Sequence, residues 1–206
     1  MPTKAEQRER TRDAILGIAA RRFAESGYAG VALEEVVAEV GLTRGAVYHH
    51  FGSKHGLFAG VVERAQFAVA EAVERASGVD APPMDAFLAG CRAFLEASLA
   101  PEVRRILLVD GPAVLGWDDW RDGDLESSAR LLDAGVAELA DAGVIARRSL
   151  GTVTTMVSGA LNEVAIANAS AADPQRGIDA AIATLARMLT GLAPDADSGV
   201  AQATAP

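Results

Sequence analysis

Residues 27–58 read GYAGVALEEVVAEVGLTRGAVYHHFGSKHGLF, and this stretch decides the fold. Leu33, Val36, Val37 and Val40 recur at helical spacing and stop at Gly41. Thr43 follows, with a hydroxyl suited to capping a helix N-terminus, and predicts another helix through Phe51 with Val47 and Phe51 turned inward. Two short helices joined through Gly41-Leu42-Thr43 describe a helix-turn-helix, whose second helix enters the DNA major groove. The turn needs a residue tolerant of positive φ, which Gly41 provides.

Upstream, Ile15, Ile18, Ala19 and Phe23 share one helical face, and Gly27 is a natural stop. Downstream, Ser53 caps a longer helix with Leu57, Phe58, Val61, Val62 and Phe67 on its apolar side. Ser77-Gly78 through Pro82-Pro83 breaks the pattern and marks a subdomain boundary. Beyond it the spacing predicts helices over 84–99, from 101 to 109 with an interruption at Gly111-Pro112, over 118–141, over 151–169 and over 174–192. The expected fold is all-α, with about nine helices. A three-helix helix-turn-helix domain occupies 1–55, with an N-terminal arm over 1–10, and a helical ligand-binding and dimerisation domain spans 56–193. The tail 194–206 is small and polar and predicts disorder.

The net charge of −9 is unevenly spread. Residues 1–78 hold ten Lys+Arg and ten Asp+Glu, whereas residues 79–206 hold nine and eighteen. A neutral head on an acidic body can meet phosphate on one face and repel it elsewhere. The lone cysteine, Cys91, excludes an intrachain disulfide and fits a reducing compartment; it reads as a buried small hydrophobe, with a redox-sensing thiol as the alternative. The charged N-terminus lacks the apolar core of a secretory signal, and no apolar stretch suffices for a bilayer-spanning helix. A cytoplasmic protein without membrane contact is expected.

The third helix carries the chemistry. Thr43 and Arg44 stand at its N-terminus, where side chains and backbone amides can meet phosphates or base edges. Arg44 suits bidentate reading of guanine, and His49 lies on the same groove-facing edge. Gly45 allows close backbone approach, Tyr48 can donate its hydroxyl to a phosphate, and Lys54 adds charge at the start of the fourth helix. Each also has a plainer reading, as a core aromatic for Tyr48 or a solvated charge for Arg44 and Lys54. His50 reads as a packing or capping residue. His49, His50 and His55 have no Cys or carboxylate at ligand spacing, so neither metal nor cofactor is expected.

The patterns I-L-x-x-A-x-x-x-F-A-x-x-G-Y and G-L-T-R-G-A-V-Y-H-H-F-G-S-K-x-x-L-F, between Ile15 and Phe58, resemble the TetR family of transcriptional regulators. The resemblance implies DNA contact at Thr43, Arg44, Gly45, Tyr48, His49 and Lys54, and an all-helical body that binds a ligand and dimerises. The sequence departs from the family where Val31-Ala32 replace the usual Thr or Ser before the second helix, since Ala32 cannot cap. Val37 likewise replaces the usual alanine where the two helices cross.

Two faces of the body invite a dimer of four packed helices. Met156, Gly159, Ala160 and Val164 form one, and Ile178, Ile182, Leu185 and Leu189 form the other; the plainer reading is that they complete the chain's own core. Phe87, Cys91, Phe94, Leu107, Trp117, Trp120 and Met156, with Asn162 or Thr155 as a polar anchor, are candidates for an effector pocket; the same residues read equally as a core. The acids Asp118, Asp119, Asp122, Asp124 and Glu126 suggest either a cationic ligand or, as preferred here, a solvated helix start.

The reading is a ligand-responsive repressor, not an enzyme, that binds a palindromic operator as a homodimer and is released by a small-molecule effector. The alternative is a DNA-binding architectural or co-regulatory protein without such a ligand. No catalytic constellation stands outside the head.

Overall fold

The computed structural model describes residues 3–78 and 80–192, and every regular element among them is helical. Met1, Pro2 and the predicted tail 194–206 lie outside the described residues. Thr3 opens helix α1 (Lys4–Gly30) with a capping box: the Thr3 hydroxyl accepts from the Glu6 amide, and the Glu6 carboxylate accepts from the Thr3 amide at 2.7 Å. Ile15, Leu16, Ala19 and Phe23 are buried along one face. Gly27 kinks the helix at φ 72°, so the expected stop is a bend followed by a last turn.

Helix α2 (Leu33–Val40) starts at Ala32 without a side-chain cap, as the sequence implies. Glu34 and Glu35 in its first turn offset this, because negative charge complements the positive helix end. Gly41 closes it in the left-handed region at φ 72°. The hydroxyl of Thr43 accepts from the Ala46 amide at 3.2 Å and opens α3 (Arg44–Phe51). Ser53 caps α4 (Lys54–Ser77) through the Gly56 amide at 3.0 Å. The boundary expected between 55 and 56 thus falls in the first turn of α4. Phe67, expected on the inner face of α4, is instead 62 % exposed. One residue earlier, Gln66 takes the buried position, and successive helical residues point about 100° apart.

The body comprises α5 (Pro83–Ser98), α6 (Pro101–Arg104), a π turn (Arg105–Asp110) and α7 (Gly111–Leu115). Then follow α8 (Trp117–Ser127), α9 (Ala129–Asp141), α10 (Leu150–Asn168) and α11 (Pro174–Thr190). Two expectations fail here. Gly111-Pro112 does not interrupt the helical path, because the chain widens into the π turn before it. Five residues after Leu107 stands Pro112, which has no N–H; the indole Nε1 of buried Trp120 donates to the Leu107 carbonyl at 2.7 Å. The predicted helix over 118–141 is two helices meeting at Ser128. Just before the break, the Ser127 hydroxyl donates to the carbonyls of Gly123 and Asp124, competing with the backbone ladder.

One contiguous apolar cluster runs from Ile15 through Phe58 to Leu189. At its head end the Phe58 ring meets Phe23 and Tyr28 edge-on, each at 5.0 Å between centroids. The π turn grips the bend in α1 beside this cluster. The Tyr28 amide donates to Asp110 Oδ2 at 2.8 Å, and Arg105 donates to the Glu25 carbonyl at 3.1 Å. Asp110 also faces Arg105 Nε at 3.7 Å. A Cβ on Gly27 would lie 2.5 Å from the Arg105 guanidinium. Gly27→Ala should therefore lower stability by about 1–3 kcal/mol through the strained φ alone, measured by chemical unfolding. An unchanged midpoint would show that the bend carries no constraint.

Candidate nucleic-acid interface and cavity

Helix α3 buries only Val47, so its remaining faces are available to a partner. Thr43, Arg44, Gly45, Tyr48 and His49 are all exposed, and 44, 45, 48 and 49 share one face by helical spacing. Tyr48 is not a core aromatic. Lys54 is half-buried, with its ammonium 4.4 Å from the centre of the Tyr28 ring, a cation–π seat just beyond the helix. His50 is half-buried; burial first, then Arg8, His49 and Arg12, hold its imidazole below the usual range.

Arg44 is held in the free protein. Its guanidinium donates to the Tyr48 hydroxyl at 3.1 Å and lies 5.1 Å from that ring's centre, while Nη1 faces Glu34 Oε1 at 3.2 Å. A further partner for the guanidinium would replace the Glu34 contact. That pair is solvent-exposed, so it is weak and readily exchanged. Sequence reasoning missed Glu34 and Tyr28 as partners, because both pairings depend on how neighbouring helices cross. Helix α2 is itself tied to α1: Glu39 accepts from Arg21 and from Arg22 Nε, the latter at 2.5 Å, and Glu35 accepts from Arg22 Nη1 at 3.2 Å.

A cavity of about 240 Å³ lies in the body among α4, α5, α8, α9 and α10. Of the residues expected to line a pocket, Phe87, Cys91, Phe94 and Asn162 do so. Leu107 and Trp120 instead border a separate void of about 10 Å³, which Phe94 and Asn162 also line. Trp117 and Met156 line neither and are more than half exposed. The Trp117 ring rests on the outside of Trp120, 5.1 Å between centroids, and Met156 lies on the outer face of α10. Burial pushes the Cys91 thiol up to about 12, which suits a small hydrophobe rather than a reactive thiolate.

Asp124, read from sequence as part of a solvated helix start, is instead 7 % exposed and lines the cavity. Its Oδ2 accepts from Arg121 Nη1 at 2.6 Å and from Asn162 Nδ2 at 3.0 Å, and Arg121 Nη2 donates to Ser158 Oγ at 2.7 Å. Burial raises the Asp124 carboxyl above its ordinary value, opposed by Asn162 and Arg121. Asp118, Asp119 and Asp122 are exposed, as a solvated helix start requires. The side chain of Glu126 lies outside the described residues.

The outer faces of α10 and α11 divide the expected interface residues. Met156, Gly159 and Ala160 are exposed, while Val164, Ile182 and Leu185 are half-buried. Ile178 and Leu189, at 2 % and 1 % exposure, belong to the chain's own core and have no surface left for a partner. Sequence periodicity could not separate these faces, because α11 is apolar on adjoining sides. Met188 and Leu192, both exposed, extend the outward apolar surface.

Residues 15–61 match the family model for bacterial regulatory proteins of the tetR family, and residues 84–192 match that for the tetracyclin repressor-like C-terminal domain. A TetR-family transcriptional regulator from Pectobacterium atrosepticum is 36 % identical with a TM-score of 0.77, covering 94 % of this chain and 99 % of that one. The HTH-type transcriptional repressor BepR of Brucella suis is 41 % identical over 80 residues, covering 39 % of this chain and 38 % of that protein. The HTH-type transcriptional regulator AcrR of Shigella flexneri is 33 % identical over 107 residues, covering 52 % and 49 %. The chain thus spans about half or less of the length of these two curated relatives. With an N-terminal and a C-terminal match that together take in most of its length, this chain belongs to the TetR family of bacterial transcriptional regulators.

Proposed function

We propose that the protein represses transcription by binding a palindromic operator as a homodimer and that a small molecule in the body cavity releases it. The observation that carries the reading is the outer face of α3, where Thr43, Arg44, Gly45, Tyr48 and His49 stand together with Lys54 close by. Arg44 and His49 read bases; Thr43, Tyr48 and Lys54 position the helix on phosphates. Gly45 lets the backbone approach the groove. In this division of labour residues 1–55 bind DNA, and residues 56–193 receive the effector and dimerise. The repressor names borne by relatives favour this direction of control.

A two-fold operator presents successive major grooves roughly 34–36 Å apart, so two α3 helices must be held at that spacing. The exposed Met156, Gly159, Ala160 and Met188 surface, with Val164, Ile182 and Leu185 at its edge, supports a partner chain docking on α10 and α11. Gly159 has nothing within 4 Å of where a Cβ would stand, so a partner backbone can come close there.

Release works by population shift: the effector binds better to a state with the wrong spacing. A series of polar contacts supports a route from cavity to head. Asn162 and Arg121 hold Asp124; Gln66 donates to the Trp120 carbonyl at 2.9 Å; Trp120 donates to Leu107; and Asp110, at the end of that π turn, holds the Tyr28 amide.

Three outcomes are expected. In fluorescence anisotropy with a selected operator, Arg44→Ala should lose about 1–3 kcal/mol and relax the preference at one base position. Lys54→Ala should weaken binding to every sequence and flatten its salt dependence. Identical behaviour of the two variants would contradict the assigned roles. Light scattering after size exclusion at micromolar concentration should give twice the 21.3 kDa chain mass, and a monomer would remove the dimer from the proposal.

A further inference from the structure

We infer that the cavity selects a cationic amphiphile, an amine carried on an apolar body, with the ammonium group seated against Asp124. The inference rests on the reading of the cavity as the effector site and names the chemistry that site accepts. No lining residue is Lys, Arg or His. Three carboxylates do line it: Asp124 deep in the body, and exposed Glu74 and Glu138. Arg121, the counterion of Asp124, is not among the residues that line the cavity.

The deep end has acceptor capacity to spare. Both donors recorded on Asp124, Arg121 and Asn162, converge on Oδ2, and Oδ1 has none among the described residues. Behind the cavity, Ser98 is fully buried, and its Oγ has no hydrogen-bond partner among the described residues. Ser98 borders the small void that also touches Asp124, Ser128 and Asn162. A buried hydroxyl without a partner calls for one. An ammonium offers three donors and no acceptor, which matches the free Asp124 oxygen on the cavity wall; Ser98 stands beyond that wall, on the small void alone. The cavity's apolar wall includes Phe87, Phe94 and Leu161, which suit the apolar body of such a ligand. A carboxylate ligand would meet like charge at the deep end and at Glu74 and Glu138. An alcohol could make the hydrogen bonds but not the ion pair.

The test uses the full chain and three probes that differ only in the head group: 4-phenylbutylamine, 4-phenylbutan-1-ol and 4-phenylbutanoate. Each competes at neutral pH against N-phenyl-1-naphthylamine, an uncharged fluorescent reporter of apolar cavities. The amine should displace the reporter at a concentration at least tenfold lower than the alcohol, and the acid should not displace it. The amine's advantage should shrink several-fold in the Glu74→Gln, Glu138→Gln double variant, whose exposed positions leave the core intact. It should vanish in Asp124→Asn. Equal or better displacement by the alcohol or the acid would overturn the cationic assignment while leaving the cavity as an effector site. If the reporter itself fails to bind, the cavity reading falls and this inference with it. Should Asp124→Asn not fold, the wild-type series with the rim variant still decides.

Discussion

The grip of the π turn on the bend of α1 is the constraint on which the rest of the structure depends. A helix that must kink exposes backbone groups, and here Asp110 and Arg105 satisfy the Tyr28 amide and the Glu25 carbonyl from another part of the chain. Gly27 makes the approach feasible, since any side chain would collide with the guanidinium. The same few residues place the Tyr28 ring against Phe58 and beneath the ammonium of Lys54. One junction therefore sets the end of α1, the start of α4 and the seat of a proposed phosphate contact. Because α3 lies between α2 and α4, its orientation follows from this junction rather than from its own single buried valine.

The body ties its helices together through polar groups inside an apolar frame. Gln66, Trp120 and Asp124 are buried, and each is hydrogen-bonded across helices. Leaving such groups unpaired costs about 1–3 kcal/mol apiece, so their partners hold helices in one register more firmly than apolar contact does. Trp120 has a particular role, because its indole completes a carbonyl that the Pro112 side of the π turn cannot. Through these bonds α8 is tied to the π turn, and the π turn is tied to the head.

How much was legible in the sequence follows the range of the interactions. The caps at Thr43 and Ser53 and the turn at Gly41 depend on residues three positions apart, and the helices of the head stand where those signals put them. Pro112 looked like a break because the local rule says so, but the Trp120 indole, which reaches back thirteen residues to the Leu107 carbonyl, overrides it. Asp124 looked like one acid among several at a helix start; Asn162, thirty-eight residues on, shares its burial. Ile178 and Leu189 follow the same period as Ile182 and Leu185, and only the packing of α11 on α5 assigns the first two to the core. Met156 and Trp117 were sound apolar candidates for a pocket, yet the rotation of their helices turns them outward. Local chemistry was readable, and the choice among equivalent faces was not.

The head is fixed to the body at the bend of α1. Native-state hydrogen exchange at the Tyr28 amide tests it directly, because that single N–H donates to Asp110 across the junction. Exchange is expected only through global or near-global opening in the wild type, with a large loss of protection in Asp110→Ala and no matching loss in the core of α5. Exchange of Tyr28 in the wild type at the rate of an open loop would contradict it.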